Sequence, residues 1–511
     1  LTAPRQIIFL FLLSSFILAC TPAPKDTTLH ISGPFEPVNL DPASAGYMYT
    51  RMQIIETLVD VDNDGNLIPG LATSWKSNAD LTRWTFHLRP GVTFHDGTLM
   101  DAESVRKSLA VALGKPAPFP VDIVTNIEIV DPLTVSFTLK SPYRPFPSLL
   151  SNYTTAILSP ASFGKFNRMK ALIGTGPYEI TDFIPPHNIK AKRFEKYRNG
   201  PATIESVDYV TGHRSETRAL MVRTGQADIV FNLDPPATEM LKQDPDVNVH
   251  TRFIPRTTLV KLNSGNEKLS DVRVRQALSL AIDRQAIAEG ILHVKGAEAN
   301  QLFGPSMGTW HDASLPPLAT NIEKAKTLLN EAGWKLRDDG IRYRDGKPLS
   351  LSMITYANRP ELITIATAIQ AQWREAGVEL AVHMENASAI PSGHSDGTLE
   401  TALLARNFAN IPDPLGILLA DFTSVEGGEW GPMNWSNDRV FSIVNQLASG
   451  KPDDNYYVLQ KELISTLNED MPLIPVAFYV QQSATSSRVR NFSFDPYERS
   501  FRIDQMRFQS K

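Results

Sequence analysis

The sequence predicts an α/β protein of two lobes, the first carrying an additional β-rich part, and three features of the chain predict it. Leu349, Leu351 and Met353 are apolar at period two. Leu362, Ile365, Ala366, Ile369 and Trp373 then share one helical face, and Val378, Leu380, Val382 and Met384 alternate again. A strand, a helix and a strand in so short a span imply a right-handed parallel unit. The N-terminal half instead holds short β runs bounded by turn residues, such as Trp84–Leu88 and Leu133–Leu139. This change of character near Leu259 predicts separate lobes rather than one continuous sheet.

The elements follow in order. Arg5 precedes an apolar-or-serine run from Ile7 to Ala19 that ends at Cys20. As a helix this run would span only about 20 Å, too short for a hydrocarbon core of roughly 30 Å, so it is read as an export signal that is removed. Cys20, directly after small Ala19, is the only cysteine in the 511-residue chain and stands where a lipoprotein signal peptidase needs it. The chain is thus expected to be anchored outside the cytoplasm through a lipid on Cys20. It is also expected to hold itself together by core burial rather than disulfides. A polar, proline-bearing tether follows, and Leu29 and Ile31 open the first strand.

In the second half, Ile322 to Ala332 is a predicted helix with Asn321 as its cap and Gly333 as its stop. Val272 to Glu289 is read as another, capped by Ser270 or Asp271 and ended by Gly290. A formal net charge of −5 without Lys/Arg clusters argues against a nucleic-acid surface.

Several fragments imitate catalytic or metal motifs. Asp60–Gly65 matches the first half of a calcium loop, but Leu71 occupies the place of the closing glutamate, so a hairpin turn at Asn63–Asn66 is expected. Gly393-His394-Ser395-Asp396-Gly397 fits the nucleophile pattern of serine hydrolases. Pro391 lies just upstream and a strand, not a helix, follows from Leu399, so a polar connecting loop is expected. Gly174-Thr175-Gly176-Pro177 reads as a tight turn rather than a phosphate cradle. The ten histidines are scattered without metal-ligand spacing. No cofactor and no catalytic set is expected.

The segment from Leu71-Ala72-Thr73-Ser74-Trp75 through Trp84-Thr85-Phe86-His87-Leu88-Arg89-Pro90-Gly91-Val92-Thr93-Phe94-His95-Asp96-Gly97 resembles solute-binding protein family 5, which serves dipeptide, oligopeptide and nickel ABC importers. The resemblance continues at Gly174–Tyr178, Thr217–Leu220, Val272–Leu278, Ala281–Arg284, Glu331–Trp334 and Glu469–Pro475, over essentially the whole mature chain. It implies a periplasmic-binding-protein-like class II clamshell. In these terms residues 1–20 are the signal and 21–28 the tether. Residues 29–258 form lobe I with an extra subdomain, 259–479 form α/β lobe II, and 480–511 return to lobe I. Crossings between the lobes are expected near Leu259–Leu262 and Val476–Tyr479.

The resemblance further implies a monomeric binding protein that carries a short peptide to an ABC permease and ATPase. In its peptide-type members an Asp of a lobe II loop meets the ligand's amino terminus. The matching loop runs from Arg406 to Pro414, which makes Asp413 the expected anchor of the ligand cation, Phe408 an apolar wall and Arg406 a positioning residue. Asp413 has a second reading, as the cap of the helix that starts at Pro414. Tyr47, Tyr49, Trp430 and Trp435 are further aromatic candidates for the cleft, or interior filler. A nickel or other metal chelate is the alternative ligand. Nickel-type members, however, use an Arg where this chain has Asn152–Ala156, and a His where it has Glu426.

Overall fold

The computed structural model describes residues 27–509 apart from 116, 118–120, 357–358, 410 and 451–453. The signal, Cys20 and the tether up to residue 26 lie outside the described residues.

Lobe I is built on the strand Thr28–Gly33, whose buried Leu29 and Ile31 place it centrally. It pairs in parallel with Ser206–Thr211 on one side and Ile229–Phe231 on the other, and Asn188–Arg193 and Tyr178–Ile184 extend the sheet antiparallel. The β-rich subdomain is a separate four-stranded antiparallel sheet in the order Ala72–Ser77, Arg83–Leu88, Thr134–Leu139, Val124–Asp131. Its core stacks Phe86 edge-on to Phe137 at 5.5 Å, an arrangement that aligns ring edge with ring face. The helix Ala102–Leu113 covers it, and Asp101 begins that helix by accepting the Ser104 N–H at 2.8 Å.

The calcium-like fragment is a hairpin between Val59–Val61 and Leu67–Pro69, as its turn residues predicted. The Asp62 carboxylate accepts the N–H groups of Asp64 and Asn66, both at 2.9 Å, so its oxygens serve the turn itself. At the Gly174–Gly176 turn, a side chain on either glycine would run into the backbone oxygens of Ile54 and Gln53. Glycine is required there for close approach, not for a phosphate.

Lobe II confirms the strand–helix–strand reading. Ser350–Tyr356 and Glu379–Glu385 pair in parallel, and the helix Pro360–Glu375 connects them. Leu362, Ile365, Ala366, Ile369 and Trp373 are fully buried on one helix face. Each large apolar side chain so removed from water contributes roughly 1.5–3 kcal/mol. Ile322–Glu331 is capped by Asn321, whose side chain accepts the Lys324 N–H at 2.9 Å.

The long helix expected from Val272 to Glu289 is broken. It stops at Leu280, Asp283 starts a new turn by accepting the Ala286 N–H at 2.9 Å, and a π turn follows over Ile287–Ile291. The buried Arg284 guanidinium donates to the Ser279 carbonyl at 2.9 Å, adding a side-chain partner at the end of the first helix.

The expectation of two unconnected sheets is also corrected. One ten-stranded sheet runs through both lobes. Val247–Leu262 and Leu473–Ser486 are long antiparallel strands that pair with the lobe I strand Ile229–Phe231 at one end and the lobe II strand Thr401–Asn407 at the other. Their mutual register is interrupted between Phe253 and Thr257. Residues Leu259–Leu262 therefore lie wholly against lobe II strands.

The Gly393–Gly397 fragment is not a loop. Ala389–Ser395 forms a short helix with exposed Ser395 at its C-terminal end, the opposite of a strand-to-helix elbow. The adjacent His394 serves a buried lysine. Lys261 donates to His394 Nδ1 at 2.7 Å and to the carbonyls of Gly428, Glu429 and Gly431 at 3.2, 3.1 and 2.6 Å. Burial pushes the Lys261 ammonium down to about 7, and burial with the Lys261 charge pushes His394 down to about 4.

Between pH 7 and the ordinary lysine value of 10.5 the unfolded chain therefore binds more protons at Lys261 than the folded one, and stability rises with pH. Urea midpoints measured from pH 6 to 10 should show wild type gaining on Lys261→Met by at most about 1.4 kcal/mol per pH unit above pH 7. A pH-independent gap between the two proteins would contradict this.

Away from the strands that join them, the lobes also meet at the tip of the β-rich subdomain. Ile411 of lobe II is fully buried in the subdomain core, beside Tyr143. The Arg144 N–H donates to the Ala448 carbonyl at 3.0 Å, and its guanidinium donates to the Tyr456 hydroxyl at 2.5 Å while pairing with Asp413 at 3.9 Å.

Candidate functional site

Between the lobes lies a cavity of about 1040 Å³, at the upper end of the range of small-ligand sites. Its floor is the pair of joining strands, which present Thr258 and the run Phe478–Gln482. Lobe I supplies Phe35, Glu36, Tyr47, Arg214, Glu216 and Asp234, and lobe II supplies Leu292, Val294, Arg359 and Glu361. Both walls therefore carry both signs of charge.

Local structure explains how each side chain arrives there. The segment after the first strand is pinned by buried Tyr209, whose hydroxyl accepts the Phe35 N–H at 3.0 Å and donates to the Gly33 carbonyl at 2.9 Å. Tyr47 rises from the helix Pro42–Arg51 and stands edge-on to Phe35 and to Tyr153, each at 6.1 Å. Burial raises the Tyr47 hydroxyl above its ordinary value. The helix Ser215–Arg223 is fixed to the end of the strand Ile229–Phe231 by buried Arg218. Its guanidinium donates to the carbonyls of Phe231 at 2.8 Å and His213 at 3.0 Å, and also to those of Gly212 and Asn232. These four acceptors replace the water that a buried guanidinium loses. Opposite, Arg359 stands at the entrance of the helix Pro360–Glu375 and Glu361 in its first turn.

Tyr479 ties the lobe II wall to the floor. Its hydroxyl accepts from Arg359 at 2.6 Å and donates to Glu361 at 3.0 Å. Beneath it, Glu498 receives Arg256 at 3.0 Å and Arg51 at 3.5 Å. Burial alone would raise the Glu498 carboxyl, but Arg256, Arg51 and Arg359 together hold it below the usual range.

Of the residues expected at the ligand, the cavity brings in Tyr47 alone. Phe408 is fully buried within lobe II, edge-on to Phe303 at 5.2 Å, and forms no wall of the cavity. Asp413 accepts the Leu415 N–H at 3.0 Å and faces Arg144, so it caps its helix and joins the subdomain contact, off the cavity lining. Arg406 pairs with buried Asp421 at 2.6 Å, fixing the start of its loop. Trp435 is interior, edge-on to Phe422 and Phe441 at 6.2 Å. Trp430 packs against the lobe II core, and Tyr49 is buried with its hydroxyl on the Asn39 carbonyl. The aromatic residues were indistinguishable locally, because a ring that lines a cleft and one that fills a core have the same neighbours in sequence.

Arg359, Glu361 and Tyr479 were not expected at the site. The available signal was a cation at the entrance of a clearly periodic helix, opposite a tyrosine at a predicted crossing.

Comparison with known proteins agrees with this architecture. The family model described as bacterial extracellular solute-binding proteins, family 5 Middle, matches residues 66–429. The nickel-binding periplasmic protein of Escherichia coli K12 is 23% identical over 99% of this chain and 99% of its own length. The solved structure of NikA from Brucella suis in complex with Fe(III)-EDTA has a TM-score of 0.86 at 22% identity, covering 94% of this chain and 100% of that one. The oligopeptide-binding protein AppA from Bacillus subtilis, in complex with a nonapeptide, has a TM-score of 0.78 at 20% identity, covering 94% of this chain and 99% of that one. The two lobes, the extra β-rich subdomain and a family match across most of the chain lead to one conclusion: this protein belongs to the bacterial extracellular solute-binding proteins of family 5, binding components of ABC importers rather than enzymes.

Proposed function

We propose that the protein captures a short peptide in the cavity between its lobes and delivers it to the permease and ATPase of an ABC importer, held outside the cytoplasm by a lipid on Cys20. The observation that carries this reading is a cavity of about 1040 Å³ lined by both lobes and both joining strands, with charges of both signs on each wall. A zwitterionic peptide finds partners for its two termini there, and a solute that touches both lobes binds the closed arrangement better than the open one. That difference in affinity is what drives closure. The interrupted register between Phe253 and Thr257, opposite Phe478–Val480, is the proposed hinge.

Likeness to the Escherichia coli nickel-binding protein along nearly its whole length favours a second reading, a metal chelate. Among the described residues no group of three His, Cys, Asp or Glu side chains is placed to hold an ion, so a metal would enter with its own organic ligands. Native mass spectrometry of protein purified without refolding, followed by calorimetry with di- to pentapeptides and nickel–histidine, separates the two. A bound peptide with a compaction seen by small-angle scattering supports the first reading. A stoichiometric chelate with no peptide binding replaces it with the second.

A further inference from the structure

One loop of lobe I holds an aromatic side chain away from every core. Residues 164–168 form a tight tip, closed by the Gly164 N–H donating to the Arg168 carbonyl at 2.8 Å and by an antiparallel bridge between Phe163 and Met169. Those two flanking side chains pack against the lobe I core and fix the stem. Phe166, at the apex, is 94% exposed, more than any other large apolar side chain among the described residues. Phe166 and Asn167 both lie in the left-handed region, with φ of 56° and 55°. Asparagine enters that region readily and phenylalanine rarely does, so the tip presents the ring outward in a backbone shape the residue does not itself favour.

Beside the ring in the same loop are Lys165, Arg168 and Lys170, all exposed. Among the described residues none of the three has a carboxylate within 4.0 Å or makes a side-chain hydrogen bond. Cations of the strands that follow are paired instead, Lys192 with Glu179 at 3.2 Å and Arg193 with Glu195 at 2.8 Å. The tether joins lobe I at the sheet end that this loop feeds. Thr28 registers with Ser206, Ser206 with Lys192 and Lys192 with Glu179, at the start of the strand Tyr178–Ile184. The chain from Cys20 to Thr28 is eight residues, at most about 29 Å when extended. A lipid on Cys20 therefore keeps this end of lobe I close to the bilayer.

We propose that the 165–170 loop is a membrane-contact site, in which Phe166 inserts among anionic lipid headgroups while Lys165, Arg168 and Lys170 pair with their phosphates. An aromatic ring enters the boundary between headgroups and acyl chains, and unpaired cations beside it are drawn to the negative surface. The site lies outside the solute cavity and rests on the proposed lipid anchor for its role. Three cations and one ring bind weakly from solution, but a chain already tied to the bilayer meets it at high effective concentration. The contact then sets how lobe I lies on the membrane, whereas the lipid sets that it stays there.

Co-sedimentation would compare the mature chain, prepared without its lipid, on vesicles of phosphatidylcholine and on vesicles of equal parts phosphatidylcholine and phosphatidylglycerol. Partition should favour the anionic vesicles and fall as salt rises. On those vesicles Lys165→Gln, Arg168→Gln and Lys170→Gln should each lower it about fivefold, and Phe166→Ser about tenfold at low and high salt alike. Leu99→Ser, which removes an exposed apolar side chain of the β-rich subdomain, should leave it unchanged. Equal partition on both vesicles, or a Phe166→Ser protein that binds like wild type, overturns the site. Absence of vesicle binding overturns it too, and a loss of solute-stimulated ATPase activity with Phe166→Ser in the reconstituted importer would then assign the loop to the permease. Mass spectrometry of the protein extracted from its own membrane tests the anchor separately. An unmodified Cys20 with vesicle binding intact removes the anchor and keeps the contact site.

Discussion

Glu498→Ala is expected to lower folding stability by about 3–5 kcal/mol, the usual cost of leaving buried charge without its partner. Glu498 comes from the C-terminal return, whereas Arg51 closes a lobe I helix and Arg256 lies on a joining strand. The carboxylate thus cross-links three distant segments, and its removal strands two guanidinium groups that are about one-tenth exposed. Because the Glu498 carboxyl titrates below its ordinary value of 4.5, its contribution is complete above that value and is lost as pH falls through the lower folded one. Urea denaturation of wild type and variant at pH 7 and pH 3 checks both statements. The gap should be wide at pH 7 and smaller at pH 3, and a gap that is small at both would show that solvent already screens the cluster.

Ile411→Ala is expected to act on closure rather than on folding. The side chain belongs to lobe II but is buried in the core of the lobe I subdomain, so opening the lobes must expose it. Truncating a buried isoleucine costs about 2–5 kcal/mol where its surroundings cannot collapse. Charged only against the closed state, even 2 kcal/mol lowers the closed-to-open ratio by roughly 30-fold. Small-angle scattering should report a larger radius for the variant, and calorimetry a weaker affinity, while its thermal midpoint moves little. Arg144→Ala should act in the same direction, since it removes the guanidinium's contacts with Tyr456 and Asp413 at the same place. Unchanged scattering together with a lowered melting temperature would mean that Ile411 stays buried when the lobes part.

This contact also reassigns Asp413. A resemblance to peptide-type members made it a ligand anchor, yet in the fold its carboxylate satisfies the Leu415 N–H and Arg144. Burial raises the Asp413 carboxyl, and Arg144 opposes that rise. The capping role was legible from its place before Pro414; the arginine partner, far away in sequence, was not.

What the sequence determined by itself is local or repeated. The period-two and helical patterns of Leu349–Met384 became a parallel unit, Asn321 became a cap, and Asn63–Asn66 became a hairpin turn, because each depends on neighbours within a few residues. Family blocks in order supplied the lobes. The helix expected over Val272–Glu289 failed because Asp283 and Arg284 bind backbone groups at the break more effectively than a continuous turn would. Only the tertiary structure decided that Phe408 and Trp435 are interior, that Arg359 and Tyr479 face the cavity, and that Glu498 neutralises arginines from two other segments. Periodicity reports that a side chain is buried on one face of its own element, but a cleft is made by elements hundreds of residues apart, and only their packing determines which surfaces remain open between them.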